Sequence, residues 1–210
     1  KTNENKVMKK KILLIIFMVV SSTLLSQTKD RRAQFGFDHE NSLEITPQKE
    51  FFIIDNDALI YRSNDINKGF ITDSSLYKQM PKRYHGFWYG GLNLKFFNED
   101  TAIVIPQQVY IDSEIDAKIP YFLTYDKCKT WQKCYLDSTE SIEITDIIIK
   151  ENGNCWINSD EGKIYFSNDY GKTFILKDPF NDTTDIVSIS MQTDSEGVLM
   201  TEDSDIFYTK

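Results

Sequence analysis

Two segments of this chain are near copies of one another. Ile164-Tyr165-Phe166-Ser167-Asn168-Asp169-Tyr170-Gly171-Lys172-Thr173-Phe174 repeats Tyr121-Phe122-Leu123-Thr124-Tyr125-Asp126-Lys127-Cys128-Lys129-Thr130-Trp131, with the hydroxyl residues Thr124 and Ser167 placed 43 positions apart. A third, degenerate copy runs from Leu59 to Phe70 and keeps Ser63, Asp65 and Phe70. The flanks recur too. Ile144-Thr145-Asp146-Ile147-Ile148 matches Ile186-Val187-Ser188-Ile189-Ser190 at an offset of 42, and the same offset lays Ile164-Tyr165-Phe166-Ser167 on Ile206-Phe207-Tyr208-Thr209. A unit of this length cannot bury its own apolar face, so it must stack against its neighbours.

From about residue 50 onward the chain reads as short strands. Phe51-Phe52-Ile53-Ile54, Leu59-Ile60-Tyr61, Ala102-Ile103-Val104-Ile105, Ile147-Ile148-Ile149 and Ile206-Phe207-Tyr208 are rich in β-branched and aromatic residues, with Asn, Asp, Gly and Ser gathered between them. No stretch carries a sustained helical period with caps. The sequence predicts an all-β chain. A period near 42 residues, with four strands in each period, predicts a β-propeller, present here as a partial array of about four blades.

The repeated pattern, Ser/Thr-x-Asp-x-Gly-x-Thr-Trp/Phe, resembles the Asp-box, or BNR, repeat. That repeat occurs in sialidases, sortilin-type receptors, xyloglucan-active glycosidases and photosystem II assembly factors of the Ycf48 type. Ser167, Asp169, Gly171, Thr173 and Phe174 fill every position, and Thr124, Asp126, Thr130 and Trp131 depart only at Cys128 in the glycine slot. The 63–70 copy lacks the glycine and threonine in register. The resemblance implies a hairpin between the outer strands of each blade, away from the central ligand-binding face. It gives the aspartates a structural role: a short carboxylate accepts backbone amides in a tight turn while the hydroxyl closes the same loop.

The ends carry a different message. Met8 is followed by Lys9-Lys10-Lys11, an apolar run from Ile12 to Val20, and small or polar residues to Ser26. This is the order of a secretory signal, and the run is shorter than the about 20 apolar residues that a spanning helix needs. Residues 1–26 are therefore expected to be upstream read-through plus a signal peptide cut near Ser26. Residues 27–210 are expected to form the propeller domain, periplasmic, cell-surface or secreted, with no stable membrane span after cleavage. Thr209-Lys210 stops where the next repeat should supply its aspartate, so further blades are expected to follow.

Composition narrows the partners. The whole chain carries a formal charge of −8, and removing residues 1–26 takes away five basic residues and one acidic residue, leaving −12. Such a surface repels phosphate backbones, which argues against nucleic acid. Cys128 and Cys134 are close enough to bridge across a turn, or all three cysteines, with Cys155, are free thiols. With only His39 and His85, and no paired CxxC, no metal or other cofactor is expected.

Candidate chemistry is sparse. The spacing from Ser63 to Thr124 is 61, about 18 more than the later period, and the excess is expected to hold Met80 to Gly91. Tyr84, His85, Phe87, Trp88 and Tyr89 there form a candidate ligand-binding loop, or else an inter-blade segment whose rings fill a core. Asp112, Glu114 and Asp116 alternate along a strand face, but Ala117 and Leu123 occupy the glycine and acid positions of a calcium loop, which favours a solvated acidic face. Sialidases hold substrate with three arginines and carry a Phe/Tyr-Arg-Ile-Pro segment. This chain has Arg31, Arg32, Arg62 and Arg83, and Tyr61-Arg62 is followed by Ser63-Asn64. No catalytic residues announce themselves. The expectation is a non-catalytic exported propeller that binds a protein or cell-surface glycan; the alternative is a sialidase-like or xyloglucanase-like glycoside hydrolase whose active residues lie partly in further blades.

Overall fold

Each apolar run that the sequence marks as a strand contributes to one, and within each unit consecutive strands pair with each other. The computed structural model describes residues 42–80, 87–112, 118–138, 141–180 and 184–209. In the first unit Ser42–Ile45 (β1), Phe51–Ile54 (β2), Ile60–Ser63 (β3) and Ile71–Asp73 (β4) form an antiparallel meander in chain order. Phe87–Phe96 (β5), Ala102–Ile111 (β6), Pro120–Thr124 (β7) and Gln132–Tyr135 (β8) repeat it. Ile142–Ile149 (β9), Cys155–Ser159 (β10), Ile164–Ser167 (β11) and Ile175–Lys177 (β12) make the third meander. Ile186–Met191 (β13), Gly197–Thr201 (β14) and Ile206–Thr209 (β15) make a three-stranded fourth. No α-helix occurs among the described residues, and none there has a helix long and apolar enough to cross a membrane.

The first strands of the four units lie side by side: β1 packs on β5, β5 on β9 and β9 on β13. Burial then falls toward the fourth strand. β7 and β10 are buried along their whole length, whereas β8 and β12 are largely exposed. First strands inward and fourth strands outward, turn after turn, is the arrangement of propeller blades. The fold is an arc of a β-propeller.

A main core runs from the first blade through the third, with Ile54, Leu94, Phe97, Ile103, Phe122, Leu123 and Ile157 all at or near zero exposure. Burying each such side chain stabilises the fold by about 1.5–3 kcal/mol. A smaller cluster of Trp156, Ile164, Ile186, Ile189 and Met191 joins the third blade to the fourth.

The second blade departs from the period, and the excess residues have a structural destination. β5 and β6 are ten residues long, twice β10 and β14. Gly91 marks a kink in this long hairpin: its φ is +51°, and a Cβ there would stand 2.8 Å from the Gln107 Oε1 atom. Beyond the kink, Gln108 and Val109 of β6 pair with Glu143 and Ile142 of β9, so the second and third blades share one continuous sheet. Part of the expected loop lies in a strand instead. Phe87, Trp88 and Tyr89 belong to strand β5, paired with Ile111, Tyr110 and Val109, because the hairpin outlasts the ordinary blade length. Tyr84 and His85 lie outside the described residues, as do residues 1–41 with the expected signal segment.

Candidate functional site

The repeated segments close the third and fourth strands of their blades. In the 167–174 hairpin the Ser167 hydroxyl donates to Asp169 Oδ1 (2.8 Å) and accepts the Gly171 amide (2.9 Å). Asp169 also accepts the Thr173 amide (3.0 Å) and the Thr173 hydroxyl (2.7 Å). The 124–131 hairpin repeats this bond for bond. Thr124 donates to Asp126 (2.9 Å), Cys128 donates its amide to Thr124 Oγ1 (3.0 Å), and Asp126 takes the Thr130 amide (2.9 Å) and hydroxyl (2.6 Å). Partial desolvation pushes both carboxyls up, but the hydroxyl and amide donors outweigh it and hold them below the ordinary carboxylate range. These carboxylates spend their lone pairs inside their own turns.

Cys128 occupies the glycine slot and takes the glycine conformation, φ 63° against 75° for Gly171. A side chain in that region costs about 1 kcal/mol. Here the side chain is buried in the main core. The Cys128–Cys134 bridge does not form: all three cysteines are free thiols. The left-handed turn sends the Cys128 thiol into the core beside the first blade, while Cys134 stands on β8 opposite Tyr121. Burial raises the pKa of all three thiols, which keeps them protonated.

The 63–70 segment closes differently. Ser63 donates to the Asp65 carbonyl (2.8 Å), Asp65 accepts the Asn67 amide (3.0 Å), and Ile66–Lys68 forms a 3-10 turn in place of the tight loop. The aromatic that ends each full copy is used for packing. Trp131 is buried, and Phe174 meets Tyr121 edge to face at 5.4 Å. Phe70, its counterpart in the degenerate copy, is partly buried.

Each full hairpin also leans on the preceding blade. Gly171 packs toward Leu123, Ile103 and Phe97, Tyr170 meets the Phe97 ring at 5.6 Å, and the Tyr121 hydroxyl donates to the Lys172 carbonyl (3.2 Å). One blade earlier, Ser75 donates to the Cys128 carbonyl (3.4 Å), and the Lys127 ammonium pairs with Glu50 (3.2 Å) and Glu99. Between the 63–70 and 124–131 hairpins this packing leaves a cleft of about 370 Å³, lined by Glu50, Phe52, Arg62, Ser63, Asn64, Lys68, Gly69, Ile71 and Lys127. Sequence reasoning missed it. Its signal was present in the degeneracy of the 63–70 copy. Asp112, the described member of the acidic row, ends beyond β6, and Glu114 and Asp116 lie outside the described residues. No group of metal-binding side chains occurs among the described residues.

No protein-family profile and no curated protein matches this sequence. Solved structures do. The computationally designed Ika4 protein aligns over 80% of this chain and 88% of its own, at 10% identity and a TM-score of 0.50. YCF48 bound to D1 peptide aligns over 80% of this chain and 48% of its own, at 10% identity and a TM-score of 0.47. The C-terminal WD40 domain of Sif2 aligns over 80% and 54%, at 11% identity and a TM-score of 0.42. The likeness is one of fold. This chain spans about half the length of the YCF48 chain that it matches.

Proposed function

We propose that this chain is part of an exported, non-catalytic β-propeller of the Asp-box type, which binds a protein or a cell-surface glycan through surfaces between its blades. The observation that carries the reading is the inter-blade cleft of about 370 Å³ beside the 124–131 hairpin, a formed concavity on a rigid sheet scaffold. The bonding of Asp126 and Asp169 supports it, because carboxylates saturated by their own turns serve as staples. The lysine-led apolar run at Met8 to Val20 supports export, with residues 27–210 as the propeller domain.

The test combines hydrolysis and binding on the 210-residue chain. A panel of aryl glycosides, including sialosides and xyloglucan fragments, is expected to turn over no faster than buffer alone. Immobilised glycan and peptide libraries are expected to yield saturable ligands. Turnover approaching the about 10 s⁻¹ of ordinary enzymes would hand the chain to the glycoside-hydrolase reading.

A further inference from the structure

In the described repeats, the residue before the hydroxyl is apolar or aromatic in every blade but one. It is Leu123 in the second blade, Phe166 in the third and Tyr208 in the fourth; in the first blade it is Arg62. Strand register fixes where that residue points. Glu44 pairs with Phe52, Phe52 with Arg62 and Arg62 with Ile71, so these four share the face turned to the second blade, where Phe52 stacks on Phe96 at 4.7 Å. Leu123, in the equivalent place, is fully buried beneath Gly171 of the next hairpin. Arg62 instead lines the cleft.

No acid among the described residues forms an ion pair with it. The described lysines in ion pairs reach Asp65, Glu44, Asp137, Glu50 and Glu99, and none of these carboxylates is taken by Arg62. Arg62 is also the sole arginine among the described residues. Of the three cations that line the cleft, Lys68 is paired with Asp65 and Lys127 with Glu50 and Glu99, which leaves Arg62 as the one lining cation without an ion pair among the described residues. A guanidinium put where the other copies carry an apolar or aromatic side chain breaks the local pattern with no ion-pair partner among the described residues, and such breaks concentrate at functional sites.

From this geometry we infer that the cleft between the first and second blades takes a carboxylate of a protein partner, held by Arg62 with its adjoining apolar group against Ile71. The inference deepens the binding reading above and rests on it. The planar fork of arginine matches a carboxylate in two parallel hydrogen bonds. Ile71, 64% exposed, offers an aliphatic surface next to it. A sugar is less well served. The one aromatic in the lining, Phe52, is 1% exposed and presents no ring face for stacking, and the Ser63 hydroxyl is already committed to Asp65.

The experiment is a titration of the nitrogen-15-labelled 210-residue chain, followed at the Arg62 Nε–H signal. The probes are acetyl-Leu-Glu-Ala-amide, its Gln counterpart, acetyl-Leu-Ala-Ala with a free C-terminus, and sodium glucuronate. At least one peptide carboxylate, side chain or chain end, is expected to shift the signal saturably, and the two arms tell these sources apart. The Gln peptide is expected to give no shift. Followed by the remaining amide signals, Arg62→Met is expected to weaken binding at least tenfold and Arg62→Lys to retain part of it. Arg62→Met should fold and melt normally, since Leu123 and Phe166 show that the position accepts an apolar side chain. Absence of a saturable shift with either carboxylate peptide, equal affinity in Arg62→Met, or a tenfold preference for glucuronate would overturn the assignment. Glycoside turnover would sink the binding reading itself, whereas a silent Arg62 with no turnover sinks only the cleft assignment.

Discussion

Asp169 illustrates how much of this fold is settled within eight residues. Its two oxygens collect the Ser167 hydroxyl and both the amide and the hydroxyl of Thr173, so the turn supplies its own counter-donors. Asp169→Ala strands those donors at a half-buried hairpin and is expected to cost about 2 kcal/mol, read as a lower urea midpoint at pH 7. The acid limb follows from the same bonds. Because the folded-state pKa values of Asp126 and Asp169 are depressed, their contribution is complete above the unfolded value of about 3.9 and is lost as pH falls through the lower folded values. Stability should therefore decline between about pH 5 and pH 2, and the double change Asp126→Asn with Asp169→Asn should flatten that decline in urea titrations at stepped pH. The local logic was readable from sequence: hydroxyl, carboxylate and threonine at fixed spacing specify a turn whatever surrounds it. That Cys128 would adopt the glycine conformation was not readable, because the core that receives its side chain belongs to another blade.

At the scale of the element, the strands came directly from apolar runs, but their seams did not. Asn158 on β10 is fully buried and donates to Thr145 Oγ1 (2.8 Å) and to the Ile186 carbonyl (3.0 Å), tying the third blade to the first strand of the fourth. Asn158→Ala removes both bonds at a buried seam. It is expected to cost about 1–2 kcal/mol in chemical denaturation, with the loss concentrated in amide signals of β13 and β14. A polar residue inside the run Cys155–Ser159 reads from sequence as a weak point in a strand; in the fold it is a crosslink. The long β5–β6 hairpin is the converse case. The irregular spacing between Ser63 and Thr124 announced extra residues but not that they would lengthen two strands, carry Phe87, Trp88 and Tyr89 out of a loop, and reach β9.

The molecule as a whole is an array in which each blade touches only its neighbours, so its stability is distributed rather than all-or-none. The second and third blades share a continuous sheet through β6 and β9 and contribute most of the main core. The fourth rests on a five-residue cluster, and β15 is exposed along its length. Native-state hydrogen exchange should show β6, β7, β9 and β10 protected together to the highest free energy, with β13 to β15 opening first; uniform protection would contradict the array picture. What the sequence alone determined is the strand content, the blade period and the bonding inside each hairpin, because those follow from alternation and turn chemistry within a few residues. What only the tertiary structure decided is where residues some 28 to 65 positions apart come to face one another. Arg62 opposite Lys127 across a cleft, β6 against β9, and Asn158 under Ile186 all depend on how one blade is set against the next, which no short-range pattern encodes.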